Sequence, residues 1–586
     1  SKTQVPLKAR CGCWVPQPDS GAHSKSSRLP PQVKIASDGK KDYTIKKRCG
    51  VQAAGQDAGD ETMKRRDFCK GLAVTLAADA LAPAAALPQA GAATALVGRA
   101  VPDDYYTLWY RSDRCGADLR HDYYYSDSLF DHPATEYDNQ LALATLGMAA
   151  AADCTWESDQ RYWMEGEVGR ADHIRDAFAK LGFTEVQLFN YTHSLNDTPD
   201  TVGCAIARKT LVRGGRQVTI IGAFLRGSGY GAEWSGNLHA GPGSAHVGFV
   251  TAARQLVEKI RAYVQASAKR QPLGTLKLWM GGYSRGGGVA NLVAARLPAV
   301  LPQLEKKNTF VYTFAAPASL TAADCPDLQQ DYDNNHAADG SLKKNWGTSN
   351  IFNIVSSGDV IPRILPAEWG FYRNGNDRFL PSTVIPEELQ ALNDRSAGME
   401  GTPMDFGRLA VSEETDAVLR SMLDLFCDRQ TYYKGYEDAM RCMLQCATTR
   451  TEEEVTRGIV RDDAAVVAQL RSMELMQRFP QEKVERCVQA ASALSRPVLE
   501  KLGSAVPLQA QQIVIPMLAV GLCFELQPET VQLVADFVLS TITVKGQLSG
   551  ILKTVLCHFQ ENYITVLEAY DPADHGMTPY TRREEL

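Results

Sequence analysis

Beyond its first hundred residues, the 586-residue sequence lacks any run of about 20 apolar residues, the length that a helix needs to cross a bilayer. The longest apolar stretch, residues 513–524, is interrupted by Pro516 and Gly521 and predicts a buried helix. The 14 cysteines include no CxxC pairs at zinc-site spacing, which argues against a structural zinc site of that kind. No internal repeat is visible. We therefore predict a globular chain without a transmembrane segment in its mature part.

The sequence also lacks a basic patch outside its N-terminus. Residues 1–95 carry 15 Lys and Arg against 8 Asp and Glu, whereas the rest of the chain carries 47 against 60. An acidic body of this kind has no electrostatic footprint for nucleic acid. Nucleic acid is therefore not an expected partner.

The N-terminal region has the composition of two different segments. Residues 1–62 are rich in Lys, Ser, Gly, Pro and Gln without an apolar period, which predicts a disordered or over-extended N-terminus. Residues 63–95 show a basic head with Arg65-Arg66, a mildly apolar middle and small residues at the end, the order of an export signal. The arginine pair resembles a twin-arginine signal, so we expect export to the periplasm or the extracellular space. A short helix of the domain itself is the alternative.

We predict a core domain at residues 96–366, because β-rich apolar runs alternate with helical patterns from about residue 140 to 365, which is typical of a mostly parallel α/β sheet. The predicted strands are 185–191, 204–209, 217–225, 276–280, 309–314 and 350–355, with helices at 171–181, 244–268 and 286–297. From about residue 410 to 565, long helical patterns dominate, and we place the helical segment at residues 367–560. They predict a helical insertion, or cap, followed by a C-terminal segment at 561–586. An independent helical domain is the alternative.

A G-x-S-x-G motif, Gly282-Tyr283-Ser284-Arg285-Gly286, lies between a predicted strand and a predicted helix. This is the context of a nucleophile elbow, a turn so tight that the residues two positions to either side of the serine must be small. A glycine-rich turn with an incidental serine is the alternative. In this context the motif predicts an α/β-hydrolase fold with Ser284 as the nucleophile.

A serine nucleophile needs a general base that is held by a carboxylate, and in this fold the chain order is serine, acid, histidine. Asp359 follows a predicted strand, at the sheet edge where sites collect; an ordinary turn or helix cap is the alternative for this residue. His336, His558 and His575 are the histidines after Ser284. We predict His575 as the base, because it lies in a turn-rich segment after the last helix. His558 lies in a helical run, and His336 precedes the acid.

The tetrahedral intermediate of such a reaction needs donors for its oxyanion. The backbone N–H of Arg285, directly after the nucleophile, is one predicted donor. Ser228 is the other, because it lies in a glycine-rich loop at the end of a predicted strand. The alternative is that this loop serves only as a turn.

Four motifs together resemble the class 3 lipases. They are Leu225-Arg226-Gly227-Ser228, the elbow at 282–287, the strand 312–317 and the acid loop 353–362. The family usually has His where Tyr283 stands, and the stretch 125–130 resembles a bacterial branch of it. The resemblance covers about 120–366 and the tail near His575.

This resemblance implies a Ser284–Asp359–His575 triad, oxyanion donors Ser228 and Arg285, no metal or organic cofactor, and an acyl-ester substrate. It also implies a structural role for His246.

The sequence thus predicts a serine hydrolase of carboxylic esters, with lipid acyl esters as the favoured substrate and transient contact with a lipid interface as a compatible feature. A phospholipase or thioesterase with the same triad is one alternative. An inactive hydrolase-fold binding protein, with the helical segment as its interaction surface, is another.

Overall fold

The computed structural model describes much of the chain between residues 99 and 579. The described residues are 99–112, 117–153, 166–167, 171–193, 199–228, 231–242, 245–321, 348–356, 358–380, 394, 409, 412–426, 428–449, 454, 457–503, 508–532, 553–554, 556–573 and 576–579. The predictions for 1–62 and for the export signal at 63–95 fall outside these ranges and stay predictions.

The strands and helices follow one another in an order typical of α/β proteins. The strands are β1 (Asp104–Ser112), β2 (Ala117–Tyr125), β3 (Gly166–Glu167), β4 (Thr184–Phe189), β5 (Thr192–His193), β6 (Cys204–Arg213), β7 (Arg216–Leu225), β8 (Thr275–Tyr283), β9 (Thr309–Phe314), β10 (Leu320–Thr321), β11 (Ile351–Ser356), β12 (Phe371–Tyr372), β13 (Asn376–Leu380), β14 (Tyr570–Ala573) and β15 (Gly576–Pro579). The helices are α1 (Asn139–Ala152), α2 (Ala171–Lys180), α3 (Gly231–Gly236), α4 (Val247–Arg270), α5 (Arg285–Val300), α6 (Ser412–Phe426), α7 (Arg429–Gly435), α8 (Glu437–Thr448), α9 (Asp463–Ser472), α10 (Gln481–Leu502), α11 (Leu508–Cys523) and α12 (Gln560–Ala569).

A seven-stranded sheet forms the centre of the fold. Its strand order is β13-β11-β9-β8-β7-β6-β4. Strands β7, β8, β9, β11 and β13 are parallel to one another, whereas β6 is antiparallel to both of its neighbours. The carboxyl ends of β7, β8, β9 and β11 therefore meet at one edge of the sheet.

Both faces of the sheet are covered by apolar side chains, as the strand sequences require. In β8, Leu278 and Met280 face one core with α4 and α5, whereas Trp279 and Tyr283 face the other with α1 and the β1–β2 hairpin. Successive strand residues point to opposite faces, so a strand covered on both sides is apolar throughout. This mostly parallel sheet between helical layers confirms the predicted α/β-hydrolase fold.

The sheet extends beyond residue 366, where the sequence prediction ended the core. Among the described strands, β13 pairs only with β11, and it lies at the sheet edge. Its sequence, Asn376-Asp377-Arg378-Phe379-Leu380, is mostly polar, as is common in edge strands. A sequence analysis that searches for apolar runs does not detect a strand of this composition.

Helices α6 to α11, residues 412–523, pack around one apolar core, and we call this segment the helical block. Met443, Leu470, Val488 and other side chains of the block pack together with Ala240, Ala318, Leu365 and Phe371 from the sheet domain. The block and the loops beside the sheet therefore share one core. None of the helices in the described part of the chain has the length and apolar character that crossing a bilayer requires.

After the helical block, the chain returns to the sheet domain. In α12, Tyr563, Ile564, Val566 and Leu567 are buried in the same core as α1. This return brings the residues just before α12 back to the face of the sheet that α1 covers.

A buried ion pair joins β6 to the segment after β2. The Lys209 ammonium lies 2.5 Å from the Asp127 carboxylate and donates to the Leu181 carbonyl at 2.8 Å. The Tyr125 hydroxyl donates to the same carboxylate at 2.9 Å. Burial lowers the pKa of Lys209, and the hydrogen bond to Asp127 opposes that effect. The two charges satisfy each other in a site that excludes water.

Replacing Lys209 with Met removes the counter-charge and leaves the Asp127 carboxylate buried. We expect the free energy of unfolding to fall by about 3–5 kcal/mol, measured by urea denaturation with tryptophan fluorescence. The matched control is Lys307→Met, which breaks the exposed pair with Glu305 and should cost less than about 1 kcal/mol. Equal losses for the two variants would contradict a special role of the buried pair.

Candidate active site

Ser284 lies at the turn between β8 and α5. Its backbone has φ 53° and ψ −124°, a conformation that residues with side chains seldom adopt. Two hydrogen bonds hold it there: the Ser284 N–H donates to the Phe314 carbonyl in β9 at 2.9 Å, and the Gly288 N–H donates to the Ser284 carbonyl at 3.0 Å. Strained backbone of this kind persists where the surroundings over-determine it.

The two glycines of the motif are required by the close approach of backbone segments. A Cβ at Gly282 would overlap the Gly286 carbonyl oxygen. A Cβ at Gly286 would overlap the Arg226 carbonyl oxygen and lie 2.5 Å from that of Leu225. The elbow is thus in close backbone contact with the end of β7, and positions 282 and 286 must both lack a side chain.

Asp359 lies just after β11, at the edge where the parallel strands end. Its carboxylate is fully buried. One oxygen accepts from the Ile361 N–H at 2.9 Å, and the other lies 2.8 Å from the Nδ1 of His558. The His558 Nε2 lies 3.0 Å from the Ser284 hydroxyl oxygen. Serine, imidazole and carboxylate therefore form one continuous chain of hydrogen bonds.

The histidine in this chain is His558, so the sequence prediction of His575 is corrected at this point. Residue 575 itself is not among the described residues. His558 occupies a turn directly before α12 and is not inside a continuous helix. Its carbonyl accepts a hydrogen bond from the Tyr283 hydroxyl at 2.6 Å, and the two rings lie 5.5 Å apart. The elbow residue before the serine thus helps to hold the histidine.

Tyr563 also supports the carboxylate, and the sequence analysis did not identify it. Its buried hydroxyl donates to the Asp359 carboxylate at 2.8 Å and accepts from the Ser356 N–H at 3.1 Å. Burial, and next the Asp359 charge, raise the pKa of Tyr563 well above its usual value. The hydroxyl therefore keeps its proton and acts as a donor to Asp359 across the neutral pH range.

The two predicted oxyanion donors lie close to the elbow. Ser228 follows the end of β7, and its hydroxyl oxygen accepts from the Asn237 side-chain amide at 2.8 Å. The Arg285 backbone N–H belongs to the first turn of α5, where N–H groups point out of the helix. The Arg285 guanidinium is buried elsewhere and donates to Asn237, Thr201 and Pro199. Its side chain therefore has a structural role, and the predicted oxyanion donor is the backbone N–H alone.

Two carboxylates fix the loop that carries Ser228. Arg226 and Glu233 form a fully buried ion pair, with nitrogen–oxygen distances of 2.6 and 3.1 Å. Asp153 accepts from the Gly227 N–H at 2.9 Å, and its other oxygen accepts from the Gln560 side chain. Because Gln560 begins α12, this second carboxylate links the loop to the segment that carries His558.

His246 caps the first turn of α4, as its predicted structural role requires. Its Nδ1 accepts from the Phe249 N–H at 3.3 Å, and its Nε2 donates to the Asn237 carbonyl at 3.0 Å. Burial, and next the charge of Arg285, lower the pKa of His246 to about 3. A ring that stays neutral and has both nitrogens engaged is suited to holding the loop rather than to proton transfer.

Residues 228–369 match the family model of class 3 lipases. The matched region contains Ser228, Ser284 and Asp359 but ends before His558, and it spans well under half of the chain. No curated protein matches this chain.

Several solved structures are similar to part of the chain. One is Rhizomucor miehei triacylglyceride lipase, at 19% identity over 41% of this chain and 79% of that one, with a TM-score of 0.28. Others are a lipase from Rhizopus microsporus var. chinensis (17%, 42% and 75%, TM-score 0.28) and lipase II from Rhizopus niveus (17%, 41% and 80%, TM-score 0.26). Similarity at this level carries no argument about function, and the bacterial branch suggested by the sequence stays a prediction.

Gly286→Ala tests the close approach at the elbow. The added methyl group meets backbone atoms that cannot move without displacing β7, so we expect a loss of about 3 kcal/mol in the free energy of unfolding. Gly288→Ala is the matched control, because the three atoms nearest to its methyl group would be side-chain atoms at 3.4 Å. Removing a glycine from a helix should leave that variant equally stable or up to about 1 kcal/mol more stable. Urea denaturation of both variants makes the comparison, and a tolerated Gly286→Ala would contradict it.

Proposed function

We propose that this chain is a serine hydrolase that cleaves carboxylic esters through an acyl-enzyme. The observation that carries the proposal is the hydrogen-bonded chain from Ser284 through His558 to Asp359. A serine and an imidazole at 3.0 Å are within the reach that proton transfer requires. The elbow geometry adds support, because it raises one hydroxyl at the edge of a sheet with a helix N-terminus behind it.

The contacts of His558 determine which nitrogen carries the proton in the resting state. A carboxylate can only accept a hydrogen bond, so the Nδ1 of His558 donates to Asp359. The Nε2 lone pair then faces the Ser284 hydroxyl. Asp359 thus holds the imidazole in the tautomer that a general base needs, and it stabilises the imidazolium once the proton has moved.

The reaction then proceeds in two steps. Ser284 attacks the ester carbonyl while His558 takes its proton, and the resulting oxyanion is bound by the Arg285 N–H and Ser228. The tetrahedral intermediate collapses as His558 returns the proton to the departing alcohol. Water attacks the acyl-enzyme with His558 as the base, which releases the carboxylic acid and restores the serine.

For the substrate, we propose lipid acyl esters. The match of residues 228–369 to class 3 lipases supports this class, because the matched region includes the nucleophile, the acid and Ser228. A phospholipase or thioesterase would use the same residues, and the test of substrate class below separates these activities.

The assignment of the triad is tested with three single variants. Ser284→Ala and His558→Ala should each lower the turnover of p-nitrophenyl butyrate by about 10⁴–10⁶-fold, as loss of a triad member does in other serine hydrolases. His575→Ala should retain near wild-type turnover and is the matched control. Labelling with a fluorophosphonate and mapping of the modified peptide should identify Ser284. A serine that does not react would favour the non-catalytic binding protein, and a dead His575→Ala with an active His558→Ala would reverse the assignment of the base.

The substrate class is tested with a chain-length series of glycerol esters, together with matched phospholipids and thioesters. Each methylene that the acyl site buries contributes about 0.8 kcal/mol, or about fourfold in kcat/KM. We therefore expect kcat/KM to rise from acetyl to long acyl esters and to be higher for glycerol esters than for the other two classes. Highest activity on acetyl esters, thioesters or phospholipids would replace the lipid acyl ester proposal with the corresponding alternative.

A further inference from the structure

The loop at residues 238–241, between α3 and α4, is held by the helical block. The Tyr432 hydroxyl, on α7, donates to the Leu238 carbonyl at 2.9 Å. The Gly241 N–H donates to the carboxylate of Glu437, the first residue of α8, at 2.8 Å. Ala240, between these two contacts, is buried in the core of the block. Polar side chains of the block, which include the Arg429 guanidinium 3.5 Å from the Ala240 carbonyl oxygen, therefore help to fix the path of the loop backbone.

Placing the carboxylate of Glu437 in this buried position costs free energy. Glu437 is 2% exposed, and burial raises its pKa. Burying a polar group costs free energy unless it is hydrogen-bonded. Its contacts include the Gly241 N–H and His239, whose Nε2 lies 3.9 Å away. The loop is thus matched to a specific acceptor on α8.

The backbone of Gly241 explains why the loop needs this partner. Gly241 has φ +62°, and a Cβ there would overlap the Val247 side chain. This left-handed conformation favours glycine, and glycine is also the residue with the greatest freedom to leave it. A buried acceptor for the Gly241 N–H restricts that freedom.

Asn237, directly before the loop, connects the loop to the candidate active site. Its side-chain amide donates to the Ser228 hydroxyl oxygen at 2.8 Å, and its side-chain oxygen accepts from the Arg285 guanidinium at 2.9 Å. Its carbonyl accepts from His246 at 3.0 Å. A displacement of residue 238 would therefore move Asn237 first, and through its side chain it would then move the Ser228 hydroxyl.

We propose that Tyr432 and Glu437 are positioning residues for the oxyanion site: the helical block orients the Ser228 hydroxyl through the 238–241 loop and Asn237. The proposal rests on the proposed function, because it assumes that Ser228 binds the oxyanion. Neither Tyr432 nor Glu437 contacts Ser284, Asp359 or His558 in the described structure. Their effect is therefore on the geometry of the transition state and not on the supply of the proton.

The first test measures kcat and KM on p-nitrophenyl butyrate, with active sites counted by fluorophosphonate titration. Glu437→Ala removes the acceptor, and Tyr432→Phe removes only a hydroxyl. Each should lower kcat per titrated site by about fivefold or more, the factor that one hydrogen bond typically contributes, with KM changed by less than about twofold. Glu437→Gln keeps an acceptor oxygen and should restore most of kcat.

Tyr433→Phe is the matched control, because Tyr433 is the neighbouring tyrosine on α7 and is 38% exposed. It should leave kcat unchanged. A merely structural role would reduce the titrated fraction or the melting temperature and leave kcat per site alone. Unchanged kcat per site in Tyr432→Phe, or equal losses in Glu437→Gln and Glu437→Ala, would overturn the proposal. The Tyr432→Phe result decides if Glu437→Ala does not fold.

A double-mutant cycle with Ser228→Ala locates the effect. If Tyr432 acts through the Ser228 hydroxyl, Tyr432→Phe should cost less than about twofold in the Ser228→Ala background, because residues in one network do not contribute additively. A full fivefold loss in that background would show another route and overturn the proposal. The failure of the proposed function is recognised separately, since Ser284→Ala would then equal wild type and there would be no Ser284-dependent turnover to divide.

Discussion

The close contact between the ends of β7, β8 and β9 and the start of α5 determines the geometry of the site. Ser284 can keep its unusual backbone only because Gly282 and Gly286 lack side chains and the Phe314 carbonyl receives its N–H. That contact puts the hydroxyl at the edge where parallel strands end. Because β11 is parallel to β9, the end of β11 places Asp359 at the same edge.

The other half of the site comes from the far end of the chain and depends on packing against α1. Helix α12 is buried in the core of the sheet domain, and it carries Tyr563, whose hydroxyl binds both Asp359 and the backbone of β11. His558 lies just before α12. Its carbonyl accepts from the Tyr283 hydroxyl, and its ring contacts Asp359. The fold thus holds both the backbone and the ring of His558, as the proposed general base requires.

The sequence was sufficient for the features that local chemistry dictates. Ser284 follows from the glycines around it, and Asp359 from its place after a strand. His558 could not be found in this way, because the turn at 557–559 contains neither glycine nor proline and the helical pattern continues across it. The supporting residues Asn237 and Tyr563 were missed because only the folded chain brings them near their partners, 9 and 204 positions away. The edge strand β13 was missed because an edge strand can be polar.

The helical block illustrates why apolar packing and polar contacts make different contributions to a site. The core that the block shares with Ala240 and Phe371 gives it affinity for the sheet domain, but apolar contact is non-directional and tolerates small shifts. A hydrogen bond weakens steeply with angle and distance. The contacts of Tyr432 and Glu437 with the backbone of the 238–241 loop therefore fix the position of the block relative to that loop, which lies next to Asn237. Since Asn237 directly precedes that loop, the position of the block influences the geometry of Ser228 through these contacts.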